Sequence, residues 1–89
     1  MKHLNIRVHG RVQGVCFRAY ARDEAGVLGI NGFVRNEWDG TVYLEAEGGQ
    51  ECLDRFVEWC RTGPPHAVVT KIEVQEGDVR NFRSFEVRY

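Results

Sequence analysis

Gly10-Arg11-Val12-Gln13-Gly14-Val15-Cys16-Phe17-Arg18 joins two segments of different periodicity, a strand and a helix. Upstream, Leu4, Ile6 and Val8 alternate with His3, Asn5, Arg7 and His9, the period-two signature of a strand with one buried face. Downstream, Phe17, Ala21, Ala25 and Leu28 recur at helical spacing, with Tyr20 widening the apolar stripe. The nine residues are therefore a strand-to-helix connection. Two glycines let its backbone curl, and an arginine stands at the helix entrance. Bare amide N–H groups, a helix N-terminus and a guanidinium converging on one point form a cup for a phosphate-like oxyanion.

The pattern continues outward from helix one. Gly29 is a natural helix stop, and Gly26, inside the helix, weakens it by about 1 kcal/mol relative to alanine. Asn31 to Asn36 reads as strand two. Glu37-Trp38-Asp39-Gly40 reads as a hairpin turn, because Asp-Gly tolerates positive φ. Thr41 to Glu47 reads as strand three with Val42, Leu44 and Ala46 facing inward, and Gly48-Gly49 breaks it. Leu53, Phe56, Val57 and Cys60 fall at i, i+3, i+4 and i+7, which predicts helix two, closed by Gly63-Pro64-Pro65. Val68, Thr70, Ile72 and Val74 alternate in strand four, Asp78 to Asn81 turns the chain, and Phe85, Val87 and Tyr89 alternate in a short last strand.

This order, β-α-β-β-α-β plus a short C-terminal strand, predicts an α+β fold. It is a ferredoxin-like sandwich, an antiparallel sheet with two helices on one face and strands one and three as its inner pair. The 89 residues make one domain, 1–89, large enough for a core without staples. Hydrophobic residues at 43% and charged residues at 28% are ordinary for a soluble globular protein. A formal net charge of −1 argues against a general nucleic-acid binder. No apolar run approaches the roughly 20 residues a membrane helix needs. Three cysteines without a C-x-x-C pair read as reduced thiols, which points to the cytoplasm. His3, His9 and His66 lack ligand spacing, so no metal site is expected; no cofactor is expected either.

Common phosphate motifs do not fit the Gly10–Arg18 loop. A Walker loop needs a lysine after its second glycine, and the dinucleotide fingerprint G-x-G-x-x-G is absent. A cysteine phosphatase sets its thiolate several residues before the arginine. Here only Phe17 separates Cys16 from Arg18, so Cys16 reads as a packed or incidental thiol.

The same nine residues resemble the signature of the acylphosphatase family. Gly32-Phe33-Val34-Arg35-Asn36, followed by Asp39-Gly40-Thr41-Val42, resembles the family's other signature, and Phe85-Glu86-Val87-Arg88-Tyr89 is similar to its usual end. The likeness runs from Ile6 to Tyr89, and two separated motifs in order are more specific than either alone. It implies a ferredoxin-like fold, which agrees with the element order, and hydrolysis of a carboxyl–phosphate anhydride without a cofactor. By motif position, Arg18 is similar to the arginine that grips the phosphoryl group, and Asn36 to the asparagine that holds the attacking water. The N–H groups of Val12, Gln13, Gly14, Val15, Cys16 and Phe17 correspond to the phosphate cradle, with Gly10 and Thr41 in supporting positions. Glu37, directly after Asn36, departs from the small or uncharged residue usual in the family, and Gly26 is unusual too.

These residue types suit that reaction. A departing carboxylate has a solution pKa near about 4, so no strong general acid is required. What remains is to hold the phosphoryl group, neutralise its oxygens and aim a water in line. Two other readings compete: a non-catalytic ferredoxin-like module that binds an acyl phosphate or other small anion, and an RNA-binding sheet, which the net charge disfavours. On the leading reading the partner is a small soluble acyl phosphate, with no nucleic acid and no membrane, and the chain acts as a monomer.

Overall fold

The computed structural model describes Met1–Tyr89. The chain runs β1 (Lys2–Arg11), α1 (Phe17–Leu28), β2 (Asn31–Asn36), β3 (Val42–Gly48), α2 (Gln50–Thr62), β4 (Val68–Gly77) and β5 (Phe85–Arg88). One five-stranded sheet has the order β4-β1-β3-β2-β5. Strands one and three are both interior, and the two helices share one face. There α1 lies over β2 and β5, and α2 over β4, β1 and β3. Between them Ile6, Val8, Val34, Val42, Leu44 and Ala46 of the sheet meet Phe17, Ala21, Ala25, Leu53, Phe56 and Cys60 of the helices in one core. No helix is long and apolar enough to cross a membrane.

The expected antiparallel sheet is corrected to a mixed one. β5 pairs with β2 in parallel, Gly32 opposite Phe85 through Arg35 opposite Arg88. The turn expected at Asp78–Asn81 is a crossover over residues 78–84 from one edge of the sheet to the other. Local alternation marks a strand but not its neighbour, so nothing in Phe85–Tyr89 announces a parallel partner.

A second correction concerns β4. Lys71 faces His9 but Val69 faces Gly10, so Thr70 is an extra residue in a β-bulge. The bulge reverses the faces beyond it. Val69 and Ile72 pack on the core, whereas Val68 is 56% exposed. Gly10 has φ +122, and a Cβ there would run into the Val68 carbonyl oxygen, so only glycine fits. Tyr20, expected to widen the apolar stripe of α1, is instead exposed, and the helix buries only Phe17, Ala21 and Ala25.

Gly29 ends α1 in the left-handed conformation, with its N–H and that of Ile30 donating to the Gly26 and Ala25 carbonyls. Gly26 needs no such freedom. It sits in helical backbone at the surface, and a Cβ there would meet nothing within 4 Å. Gly26→Ala should therefore add about 1 kcal/mol of stability. In a domain this small that raises Tm by roughly 4–8 °C, readable by calorimetry.

The crossover is held by a buried carboxylate. Glu47 accepts the backbone N–H groups of Arg80 and Phe82 and, at 2.7 Å, Nδ1 of the buried His3. Asn31 Nδ2 donates to the Phe82 carbonyl at 3.0 Å, and the Phe82 ring packs on those of His3 and Phe33. Burial pushes the Glu47 carboxyl up, but the Arg80 amide, His3 and the Phe82 amide outweigh it and hold it below the ordinary 4.5. A carboxyl depressed on folding contributes stability above its unfolded pKa and loses that contribution as pH falls through its folded value. Glu47→Gln should therefore lower stability by about 1.5–3 kcal/mol at pH 7. Chemical denaturation from pH 7 to pH 3 should show the gap to wild type narrowing as acid is added.

Candidate active site

The loop after β1 is held in place by its own side chains. Gly14 (φ +76) and Cys16 (φ +63) both adopt left-handed backbone, and Cys16 caps α1 without a side-chain hydrogen bond. For a non-glycine residue that conformation costs about 1–2 kcal/mol, so the surrounding contacts must impose it. One such contact is Gln13, whose Nε2 donates to the carbonyls of Glu37 at 2.7 Å and Thr41 at 2.9 Å. The loop is thereby bound to the β2–β3 turn. That turn is built by Asp39, whose Oδ1 accepts the Thr41 N–H at 3.0 Å and its hydroxyl at 2.7 Å. These two bonds hold the Asp39 carboxyl below its ordinary value, the hydroxyl more than the amide.

The curl leaves the backbone amides of residues 12–19 without any acceptor in the protein. The first backbone bond past the loop is donated by Tyr20 to the Cys16 carbonyl, at 3.1 Å. Val12, Gly14, Cys16, Phe17, Arg18 and Ala19 line a cleft of about 360 Å³, a size typical of small-molecule sites. Two sources of positive potential meet there, the N-terminal end of α1 and the Arg18 guanidinium. No acidic side chain occupies the first turn of α1 to offset them.

Arg18 lies against the last strand. Its Nη1 donates to the Arg88 carbonyl at 3.2 Å, and its Cζ sits 4.6 Å from the centre of the Tyr89 ring. Most of its N–H donors stay free. Asn36, the last residue of β2, is half-buried on the same cleft, and its carboxamide, unlike that of Asn31, has no protein partner. Arg18 and Asn36 thus share one cavity although they lie far apart in the sequence.

The remaining expected positions divide. Val12 is buried and fixes the loop to the core, and Phe17 anchors the helix end against Trp59, ring centres 5.3 Å apart. Gln13 and Val15 do not line the cleft. Gln13 is a tether, and Val15 packs on the core. Gly10 lies at the bulge, behind the loop. Thr41 is outside the cleft as well. It receives Nη1 of Arg7 at 2.9 Å on its hydroxyl and supports the turn. Glu37 turns away onto the open face of the sheet, where Arg35 at 3.2 Å and Arg7 at 3.6 Å hold its carboxylate. Its charge is therefore kept out of the cleft. Trp38 is exposed at the turn. No cluster of His, Cys, Asp or Glu is arranged to hold a metal ion.

The sequence reading missed Ala19, Arg22, Val87 and Tyr89, which complete the cleft wall. Arg22 was within reach, because it lies four residues after Arg18 on the same helix face. Val87 and Tyr89 were not, because they arrive through the parallel pairing of β5.

The family model for Acylphosphatase matches residues 4–87. The chain belongs to the acylphosphatase family. It is 45% identical to the acylphosphatase of Thermotoga petrophila over 89 residues, covering 100% of this chain and 99% of the relative. It is 46% identical to that of Archaeoglobus fulgidus over 86 residues, 97% of each. Among solved structures, the crystal structure of acylphosphatase from Bacillus subtilis superposes with a TM-score of 0.97 at 39% identity, covering 100% of both chains. The superposition covers the whole chain, β5 and the crossover included.

Proposed function

We propose that this chain hydrolyses the carboxyl–phosphate bond of acyl phosphates, yielding a carboxylate and inorganic phosphate. The observation that carries the reading is the meeting, in one cleft, of the loop residues Val12, Gly14, Cys16 and Phe17, whose amides have no acceptor in the protein, with Arg18 and Asn36. Family membership supports the same activity.

In this mechanism the phosphoryl oxygens lie in the loop, against the amides and the free N–H groups of Arg18, whose planar fork matches two oxygens at once. These donors neutralise charge where it develops, and their fixed positions spare any reorganisation at the moment of reaction. Asn36, with one donor and one acceptor side, orients a water for in-line attack. The water oxygen bonds to phosphorus as the bond from phosphorus to the acyl oxygen breaks, and the electron pair leaves with the carboxylate. A carboxamide is too weak a base to take the proton, which passes to a phosphoryl oxygen. No step requires a metal. On this reading the chain works as a monomer in the cytoplasm: one chain supplies every group of the cleft, and three cysteines without a C-x-x-C pair suit a reducing compartment.

The test is phosphate release from benzoyl phosphate in excess chelator, with Arg18 and Asn36 variants in parallel. Release well above buffer, retained in chelator, supports the reading. Binding without release would instead make the chain an anion-binding module.

A further inference from the structure

Arg22 lies on the cleft wall one helical turn beyond Arg18, about 6 Å further from the N-terminus of α1, where the free amides gather. It has no place in the hydrolytic step above. Its one ionic partner is Asp23, whose Oδ1 is 3.7 Å from Nε. Both side chains are more than half exposed, so that pair contributes little and leaves the terminal nitrogens free. Nor does Arg22 suit its helix. Arginines at i and i+4 repel, and the next position in the row, Gly26, offers neither a counter-charge nor packing. Positions 18, 22 and 26 therefore form a row that works against helix stability, and such local conflicts gather where a surface serves a ligand. On the same cleft, the half-buried Val87 and the exposed Tyr89 ring, stacked on Arg18, offer apolar surface beside the row.

We infer that Arg22 reads a second negative charge on the acyl part of the substrate. The substrate class is then acyl phosphates with a short apolar spacer that ends in a carboxylate or another anion. This rests on the hydrolase reading above. The loop and Arg18 take the phosphoryl end, the spacer lies along Val87 and Tyr89, and the distal anion meets the terminal nitrogens of Arg22. Arg22 is a specificity residue and takes no part in bond making.

The test compares kcat/KM for benzoyl phosphate with that for 3- and 4-carboxybenzoyl phosphate, which differ from it only in the added carboxylate. Wild type should favour at least one carboxylated substrate by about fivefold, the scale of one partly exposed ion pair. The preference should fade as salt is raised. Arg22→Gln should bring the ratio to about one, and Arg22→Glu should invert it. A ratio near one in wild type would overturn the inference. So would a preference that survives in Arg22→Gln, or an equal loss on all three substrates, which would make Arg22 a phosphoryl ligand. No release from benzoyl phosphate by wild type would instead remove the hydrolase reading, and this inference with it.

Discussion

Arg18→Ala is expected to cut kcat/KM for an acyl phosphate by about a thousandfold or more, and to abolish competitive inhibition by inorganic phosphate. The structure lets this loss be separated from unfolding. Arg18 sits in the first turn of α1, where a cation opposes the helix dipole by about 0.3–1 kcal/mol. Removing it relieves that cost and forfeits the contacts with the Arg88 carbonyl and the Tyr89 ring. The two effects offset, so Tm should move by only a few degrees. Arg18→Lys should recover a small part of the activity, since a point charge cannot span two oxygens. A variant with full stability and near wild-type turnover would end the assignment.

Asn36→Ala should behave differently. Its carboxamide has no protein partner to lose, and its backbone is held by pairing with Val42. We expect kcat to fall by about a hundredfold or more, while inhibition by phosphate stays within about twofold of wild type. The split between binding and turnover is the diagnostic, because a residue that gripped the phosphoryl group would lose both. Asn36→Asp adds a second check. A carboxylate there would repel the phosphoryl oxygens, so phosphate affinity should fall along with kcat.

Much of this was legible in the chain itself. Period-two and helical spacings located every element, because each buries one face and local periodicity records which. Arg18 stood out as a cation at the entrance of α1, Asn36 only through the second family signature, and both line the cleft. What stayed hidden was non-local. The Gln13 amide bonds two carbonyls on a turn more than twenty residues away, and carbonyls carry no sequence signature. Val87 and Tyr89 reach the cleft only because β5 runs parallel to β2. The faces of Val68 and Val69 exchanged because the Gly10 bulge interrupts a perfect alternation. Glu37 looked disruptive beside Asn36, until its partners Arg7 and Arg35 were seen on the other side of the sheet.

The bulge at Gly10 and Thr70 has a consequence beyond the cleft. β4 is an outermost strand ten residues long, with several valines, and its unpaired rim is the part of the molecule most open to templating by a neighbouring chain. The extra residue throws Val68 and Val69 out of line with the stretch from Lys71 to Gly77, and the exposed Lys71, Glu73 and Glu76 add charge beyond it. The same irregularity that accompanies the departure of β1 into its loop thus makes this rim a poorer template for a neighbouring chain.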